Sequence, residues 1–300
     1  MNETVDPVDA GVRVDRWLRK RFPDLPLARV HRLIRRGDVR MDRRRVQAGT
    51  RLIAGAVLRL PPTLAADSLT DPATSRARRP PLRAQQVQQV RHWLIYRDDR
   101  VLAINKPLGL ASQGGTKVRW SLTDLLEGLR FECAQRPLIV HRLDRATGGV
   151  MILARDLPAA RLLAKQFRTR QVQKTYWALT NRPPTRRKGT ITAPIDGLAA
   201  HTDYRVLMQS ARGCWLALFP RTGRMHQLRI HLAQLGCPII GDRKYNGCKA
   251  RVLHLHARRL VLTHPQGGRL SIRAGLAPSL VESWQAHGFL LHLKQPAPAS

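Results

Sequence analysis

The chain has 300 residues, 43% of them hydrophobic, and carries 53 Lys+Arg against 20 Asp+Glu, a formal charge of +33. That apolar share supports a core and excludes a disordered basic tail, while so large a positive surplus calls for a polyanionic partner, nucleic acid before membrane. No apolar run approaches the ~18–20 residues that span a bilayer, and Cys133, Cys214, Cys237 and Cys248, with no Cys-x-x-Cys pair, read as reduced thiols of a cytoplasmic protein rather than as zinc ligands.

The first six residues are acidic and lack an apolar run, so they resemble neither a secretory signal nor a transit peptide. Residues 11–62 then form a small α+β unit. Val14, Trp17, Leu18 and Phe22 recur at helical spacing, and Val30, Leu33 and Ile34 repeat the pattern after Pro26. Gly37 ends the second helix, and 39–42 and 58–60 read as short strands. The outward positions are largely arginine: Arg29, Arg32, Arg35, Arg36, Arg40, Arg43, Arg44 and Arg45. So many cations with few nearby acids would repel one another unless phosphates lie against them. Residues 63–90 read as a flexible basic linker around Arg76-Ala77-Arg78-Arg79-Pro80-Pro81, with a short helix at 85–92.

From residue 91 to about 290 the chain is rich in strands. The segments 101–104, 150–154, 176–179, 215–218 and 260–262 are predicted strands, and 122–129, 158–168 and 226–235 predicted helices. Strands with scattered helices, without regular alternation, imply an α+β domain on a mixed or antiparallel sheet. Within it, Asp144 lies between Arg142 and Arg145, ahead of Gly148-Gly149 and an apolar strand. Flanking cations favour the ionised form of a carboxylate.

Five segments, in order, carry a family resemblance. They are Asn105-Lys106-Pro107 with Gly109, His141-Arg142-Leu143-Asp144, Lys174-Thr175-Tyr176, Thr222-Gly223-Arg224-Met225-His226-Gln227-Leu228-Arg229, and Leu253-His254-Leu255-His256-Ala257. Together they resemble the RluA-type pseudouridine synthases, over about residues 94–270. The helix–helix–turn–strand order before them, with Arg-Arg-Gly-Asp-Val-Arg, resembles the ribosomal protein S4-type RNA-binding domain. Gly148 stands where the family commonly has serine, and Met225 where it has threonine. Neither carries a proton in the chemistry.

The resemblance implies isomerisation of specific uridines in RNA, with the branch that modifies large-subunit ribosomal RNA the nearest in its motifs. It implies no cofactor, metal or cosubstrate, and the charge of +33 disfavours self-association, so a monomer is expected. Asp144 would be the essential acid, attacking C1′ or accepting the C2′ proton. Arg224 would pair with it, and Tyr176 would stack on the uracil and relay the C5 proton. Arg142 would fill the gap left by the flipped base. Arg145, Lys174 and Leu255, with Arg29, Arg32, Arg35, Arg36 and Arg40 of the N-terminal unit, complete the expected RNA-binding set. His226 and Gln227 would orient the helix of Arg224, and His254 and His256 would be hydrogen-bonded structural groups. A synthase acting on transfer RNA, or a non-catalytic RNA-binding or ribosome-assembly factor, would suit the charge as well. A pure binder has no use for Asp144, Tyr176 and Arg224 together, and a nucleoside glycosidase would want two carboxylates.

Overall fold

Apolar residues at helical spacing build the first unit from the inside. Val14, Trp17 and Leu18 point inward from α1 (Val14–Arg21), and Val30, Leu33 and Ile34 from α2 (Leu27–Arg36). The computed structural model describes residues 1–22, 25, 27–62, 64, 81–114 and 120–289, and the chain divides into two units, Met1–Pro81 and Leu82–Ser300. The first unit's helices pack with β1 (Asn2–Thr4), β2 (Arg40–Met41), β3 (Arg44–Arg45) and β4 (Val57–Arg59), paired in the order β1-β4-β2-β3.

Helix α2 ends as its glycine requires. Gly37 has φ +80°, its N–H donates to the Ile34 carbonyl, and the Asp38 N–H donates to Leu33. This is the paired closure of a Schellman motif. Arg40 Nε donates to the Gly37 carbonyl at 3.2 Å and Arg45 to that of Arg36 at 3.5 Å, cations placed at the negative end of the helix dipole. Arg32, Arg35 and Arg36 are exposed, while Arg29 and Arg40 are half-buried. Most of the stretch expected as linker, residues 65–80, lies outside the described residues. Its end is helical: α3 (Ala84–His92) buries Val90 in the core of the second unit, where a Cβ at Gly128 would meet Val90 Cγ1 at 2.6 Å.

The second unit is built on one ten-stranded mixed sheet. Its strands are β5 (Leu94–Arg97), β6 (Val101–Lys106), β7 (Leu138–Ile139), β8 (Gly148–Ala154), β9 (Gln173–Thr180), β10 (Lys188–Ile191), β11 (Thr202–Ser210), β12 (Gly213–Pro220), β13 (Leu255–Thr263) and β14 (Arg269–Arg273). The order is β10-β11-β12-β9-β13-β8-β6-β5, with β14 beside β13 and β7 beside β8. The β13–β8 pair is parallel and its neighbours antiparallel, so the expected α+β class is the observed one. All seven residues of β8 are buried, which is why this central strand reads as an unbroken apolar run.

Helices α4 (Leu122–Leu125), α5 (Leu157–Arg168), α6 (Gln227–Gln234) and α7 (Pro278–Ala286) complete the unit. A 3-10 turn, Leu126–Leu129, extends α4 over the rest of its predicted span. Asp156 caps α5 by accepting the Ala159 N–H at 2.7 Å. No described helix is long and apolar enough to cross a membrane, and all four cysteines are free thiols.

Candidate active site

The Asp144 loop joins β7 to β8, and three contacts fix it. Buried Ser112 donates through Oγ to the Leu143 carbonyl at 2.7 Å and accepts the Leu143 N–H at 3.1 Å. The Gly109 N–H donates to the Arg145 carbonyl, and Arg145 Nε returns a bond to the Gly109 carbonyl at 3.0 Å. The Thr147 N–H closes the turn on the Asp144 carbonyl. The Asn105-Lys106-Pro107 turn and the Asp144 turn are thus one locked piece, with the Asp144 side chain 27% exposed.

Asp144 opens onto a cavity of about 650 Å³, lined also by Arg142, Phe167, Arg168, Arg170, Lys174, Tyr176, Arg224, His226, Arg229 and Leu255. The size and the mix of aromatic, aliphatic and cationic walls suit a nucleotide. Strand order brings the distant motifs together: Tyr176 on β9 pairs with Ala257 on β13 and with Leu218 on β12. Burial raises the Tyr176 pKa, and the negative charge of Asp144 raises it further, so the phenol stays protonated at neutral pH.

Two lysines adjoin this chemistry. Lys106 is only 1% exposed and donates to the carbonyls of Pro107 (3.0 Å) and Leu110 (2.7 Å). Burial lowers its pKa to about 8, against the opposing pull of the Asp144 carboxylate. The Asn105-Lys106-Pro107 turn thereby sets a cation within electrostatic reach of Asp144. Lys174 Nζ donates to the Thr222 carbonyl at 3.1 Å, with its pKa brought down to about 8 by burial and by Arg170.

Arg224 is placed differently from the expectation. It lines the cavity, but its Nε donates to the Ala199 carbonyl at 3.1 Å, and among the described residues it makes no ion pair with Asp144. Its backbone is held instead by Gln227. The buried amide accepts the Arg224 N–H (3.0 Å) and the Thr222 hydroxyl (2.7 Å), and donates to the His201 carbonyl and Thr202 Oγ1. The turn through Gly223 therefore points Arg224 along the wall. An arginine within electrostatic reach of Asp144 is Arg229, in the first turn of α6. A two-bond fork to Asp242, at 2.7 and 2.6 Å, holds it in place. Asp242 first, and then Asp144, favours its charged form.

The structure thus gathers Asp144, Arg142, Lys174, Tyr176, Arg224 and Leu255 around one cavity. Arg145 is outside its lining, engaged with Gly109, and Arg29, Arg32, Arg35, Arg36 and Arg40 belong to the other unit. His254 bonds the Ile240 carbonyl and Ser283, and His256 the Ala274 carbonyl, both as structural groups. Lys106, His226 and Arg229 have no role beside Asp144 in the sequence pattern.

A carboxylate, a half-buried phenol and a ring of cations around a nucleotide-sized cavity on a mixed sheet fit an enzyme that modifies bases in RNA. Residues 100–234 match the model of the RNA pseudouridylate synthase family. The chain is 32% identical over 302 residues to ribosomal large subunit pseudouridine synthase C of Vibrio cholerae, covering 93% of this chain and 94% of that one. It is 32% identical over 289 residues to the Escherichia coli K12 protein of the same name, covering 87% and 88%. Among solved structures, human RNA pseudouridylate synthase domain containing 4 matches at a TM-score of 0.59 and 30% identity, over 66% of this chain and 94% of that one. The chain belongs to the RNA pseudouridylate synthase family, and its activity is the isomerisation of uridine to pseudouridine.

Proposed function

We propose that the chain modifies uridines of large-subunit ribosomal RNA, with Asp144 as the essential carboxylate. The observation that carries this reading is the convergence of Asp144 and Tyr176 on one cavity from the loop before β8 and from β9. It is supported by relatives that match along nearly the whole chain and are named as large-subunit pseudouridine synthases.

The reaction breaks the N1–C1′ bond, turns the base, rejoins it through C5 and expels the C5 proton. Both routes, attack at C1′ or removal of the C2′ proton, need an ionised carboxylate beside the ribose. Lys106, Arg229 and Arg142 stand around that carboxylate. Tyr176 is the stacking platform and proton relay, with Leu255 as the apolar floor. Arg142, exposed at the cavity edge, fills the stack that the flipped uridine leaves. Arg224 and Lys174 complete the wall against the base and its phosphates. Arg145 acts on RNA through the part of its exposed guanidinium not engaged with Gly109.

The first unit is an S4-type RNA-binding module. Arg29, Arg32, Arg35, Arg36 and Arg40 lie on it as phosphate contacts that add affinity without reading sequence. The protein works as a monomer, without a small-molecule cosubstrate, in the cytoplasm.

Incubation with large-subunit RNA and with transfer RNA, followed by mapping of alkali-resistant carbodiimide adducts by reverse transcription, tests the substrate. Stops in the large-subunit RNA are expected. Stops confined to transfer RNA would overturn that substrate and leave the reaction class standing.

A further inference from the structure

His226 has φ 55° and ψ 21°, a left-handed conformation that residues with a side chain seldom adopt. It stands at the N-cap of α6, yet its side chain makes no capping bond. The ring reaches two other groups. Nδ1 lies 2.9 Å from the Tyr245 hydroxyl, and Nε2 lies 3.9 Å from Asp144 Oδ2. The His226 and Tyr245 rings meet edge to face, with centroids 5.7 Å apart.

Tyr245 is itself held from below. The Asp242 side chain is fully buried, forks onto Arg229, and accepts the N–H groups of Lys244 (3.2 Å) and Tyr245 (3.3 Å). The Arg229 guanidinium and the Lys244 ammonium lie 5.0 and 5.2 Å from the centre of the Tyr245 ring. Two cations against a phenol make its hydroxyl a better donor. Tyr245 therefore donates to Nδ1, which leaves the ring hydrogen on Nε2, toward Asp144.

We propose that His226 is a positioning residue for Asp144, held by Tyr245 in the tautomer whose Nε2–H faces the carboxylate. This rests on the reading of Asp144 as the essential acid. At 3.9 Å the contact orients Asp144 without bonding to it. A closure of about 1 Å when RNA fills the cavity makes it a hydrogen bond, as catalytic contacts commonly tighten with substrate. The neutral ring suits that task, because an imidazolium would pair with the carboxylate and blunt it. Burial keeps the His226 pKa below the ordinary histidine value, aided by Arg229 and Lys244 and opposed by Asp144 and Asp242.

The test is a double-mutant cycle on the full chain, with His226→Asn, Tyr245→Phe and the pair. Asparagine tolerates left-handed backbone, and Tyr245→Phe removes one oxygen and keeps the ring. Single-turnover rates at saturating RNA and RNA dissociation constants are measured, with Asp144→Asn alongside. Each single variant is expected to slow turnover about tenfold or more, as misplacement of a reacting group does, with RNA affinity held within about twofold. Tyr245→Phe should add nothing in the His226→Asn background, because the tyrosine acts through the imidazole. A wild-type rate in His226→Asn, or an equal loss from Tyr245→Phe with and without His226, overturns the proposal. An active Asp144→Asn would instead overturn the reading beneath it.

Discussion

Gly149 faces Ala257 across the parallel pairing of β8 with β13 so closely that a Cβ on the glycine would lie 2.2 Å from the Ala257 carbonyl oxygen. Its φ of +115° is also one that a side chain resists. The end of the Asp144 loop is thereby pressed directly onto the strand that carries Leu255. Gly149→Ala should destabilise the protein by ~3 kcal/mol or more, through both the clash and the backbone strain. At Gly148 a Cβ would meet Leu108 Cδ2 and the Lys106 carbonyl at 3.2 Å, contacts that small shifts relieve. Gly148→Ala should therefore stay within about 1.5 kcal/mol of wild type. Urea unfolding of the two variants checks the contrast.

Tyr176 offers a face and a hydroxyl, and phenylalanine keeps only the face. Tyr176→Phe should slow single turnover ~100-fold, the scale of a lost proton relay, with RNA affinity within a few fold. Burial, then the charge of Asp144, keeps the wild-type phenol protonated beyond the ordinary tyrosine value of 10.0. The rate–pH profile should accordingly show no alkaline fall from Tyr176 below that value. Quench-flow rates across the pH range read both outcomes.

Much of this was legible from residue pattern alone. The Leu33, Ile34 and Gly37 spacing marks α2 and its end, and the apolar run of β8 marks a strand buried on both faces. Strand β11 escaped because its alternation runs through Thr202, Tyr204 and Val206, with Asp203 and Arg205 between them, and a buried threonine reads as polar. Strand β14, Arg-Leu-Ser-Ile-Arg, is short and flanked by charge. At the site, the motifs name Asp144, Tyr176 and Leu255 well before the fold gathers them. They do not say which arginine turns toward Asp144. Arg224 and Arg229 are five positions apart in one motif, and the left-handed backbone at His226 between them sets where each side chain goes.

Two histidines, His256 and His141, set an acid limit on the fold. Burial lowers the pKa of His256 to about 4, and burial together with the Lys174 charge lowers that of His141 to about 3, from an ordinary 6.5. His141 needs its neutral form, because Nε2 accepts the Ile152 N–H at 2.9 Å. Below 6.5 the unfolded chain takes up protons that the folded chain refuses, so stability falls as pH drops from there toward 4. His256, 1% exposed, contributes on the order of 3 kcal/mol to that loss. His256→Gln should flatten the acid side of the stability curve, as chemical denaturation at stepped pH values would record.

Arg32, Arg35 and Arg36 are exposed on or at the end of α2. Changing all three to glutamine should weaken binding to long RNA and lower the slope of log affinity against log salt by about 2, since each phosphate contact on a single strand contributes ~0.7. Turnover at saturating RNA should not change, because the cavity lies in the other unit. Filter binding at several salt concentrations, paired with single-turnover rates, separates the two effects.

The most direct test of the account is tritium release from large-subunit ribosomal RNA labelled at uridine C5, with wild type and Asp144→Asn compared. Rejoining through C5 must expel that hydrogen, so the signal reports chemistry and not binding. The account expects release by wild type, none above background by Asp144→Asn, and RNA affinities within a few fold of each other. Comparable release by both proteins would contradict it, since the reaction would then run without the Asp144 carboxylate.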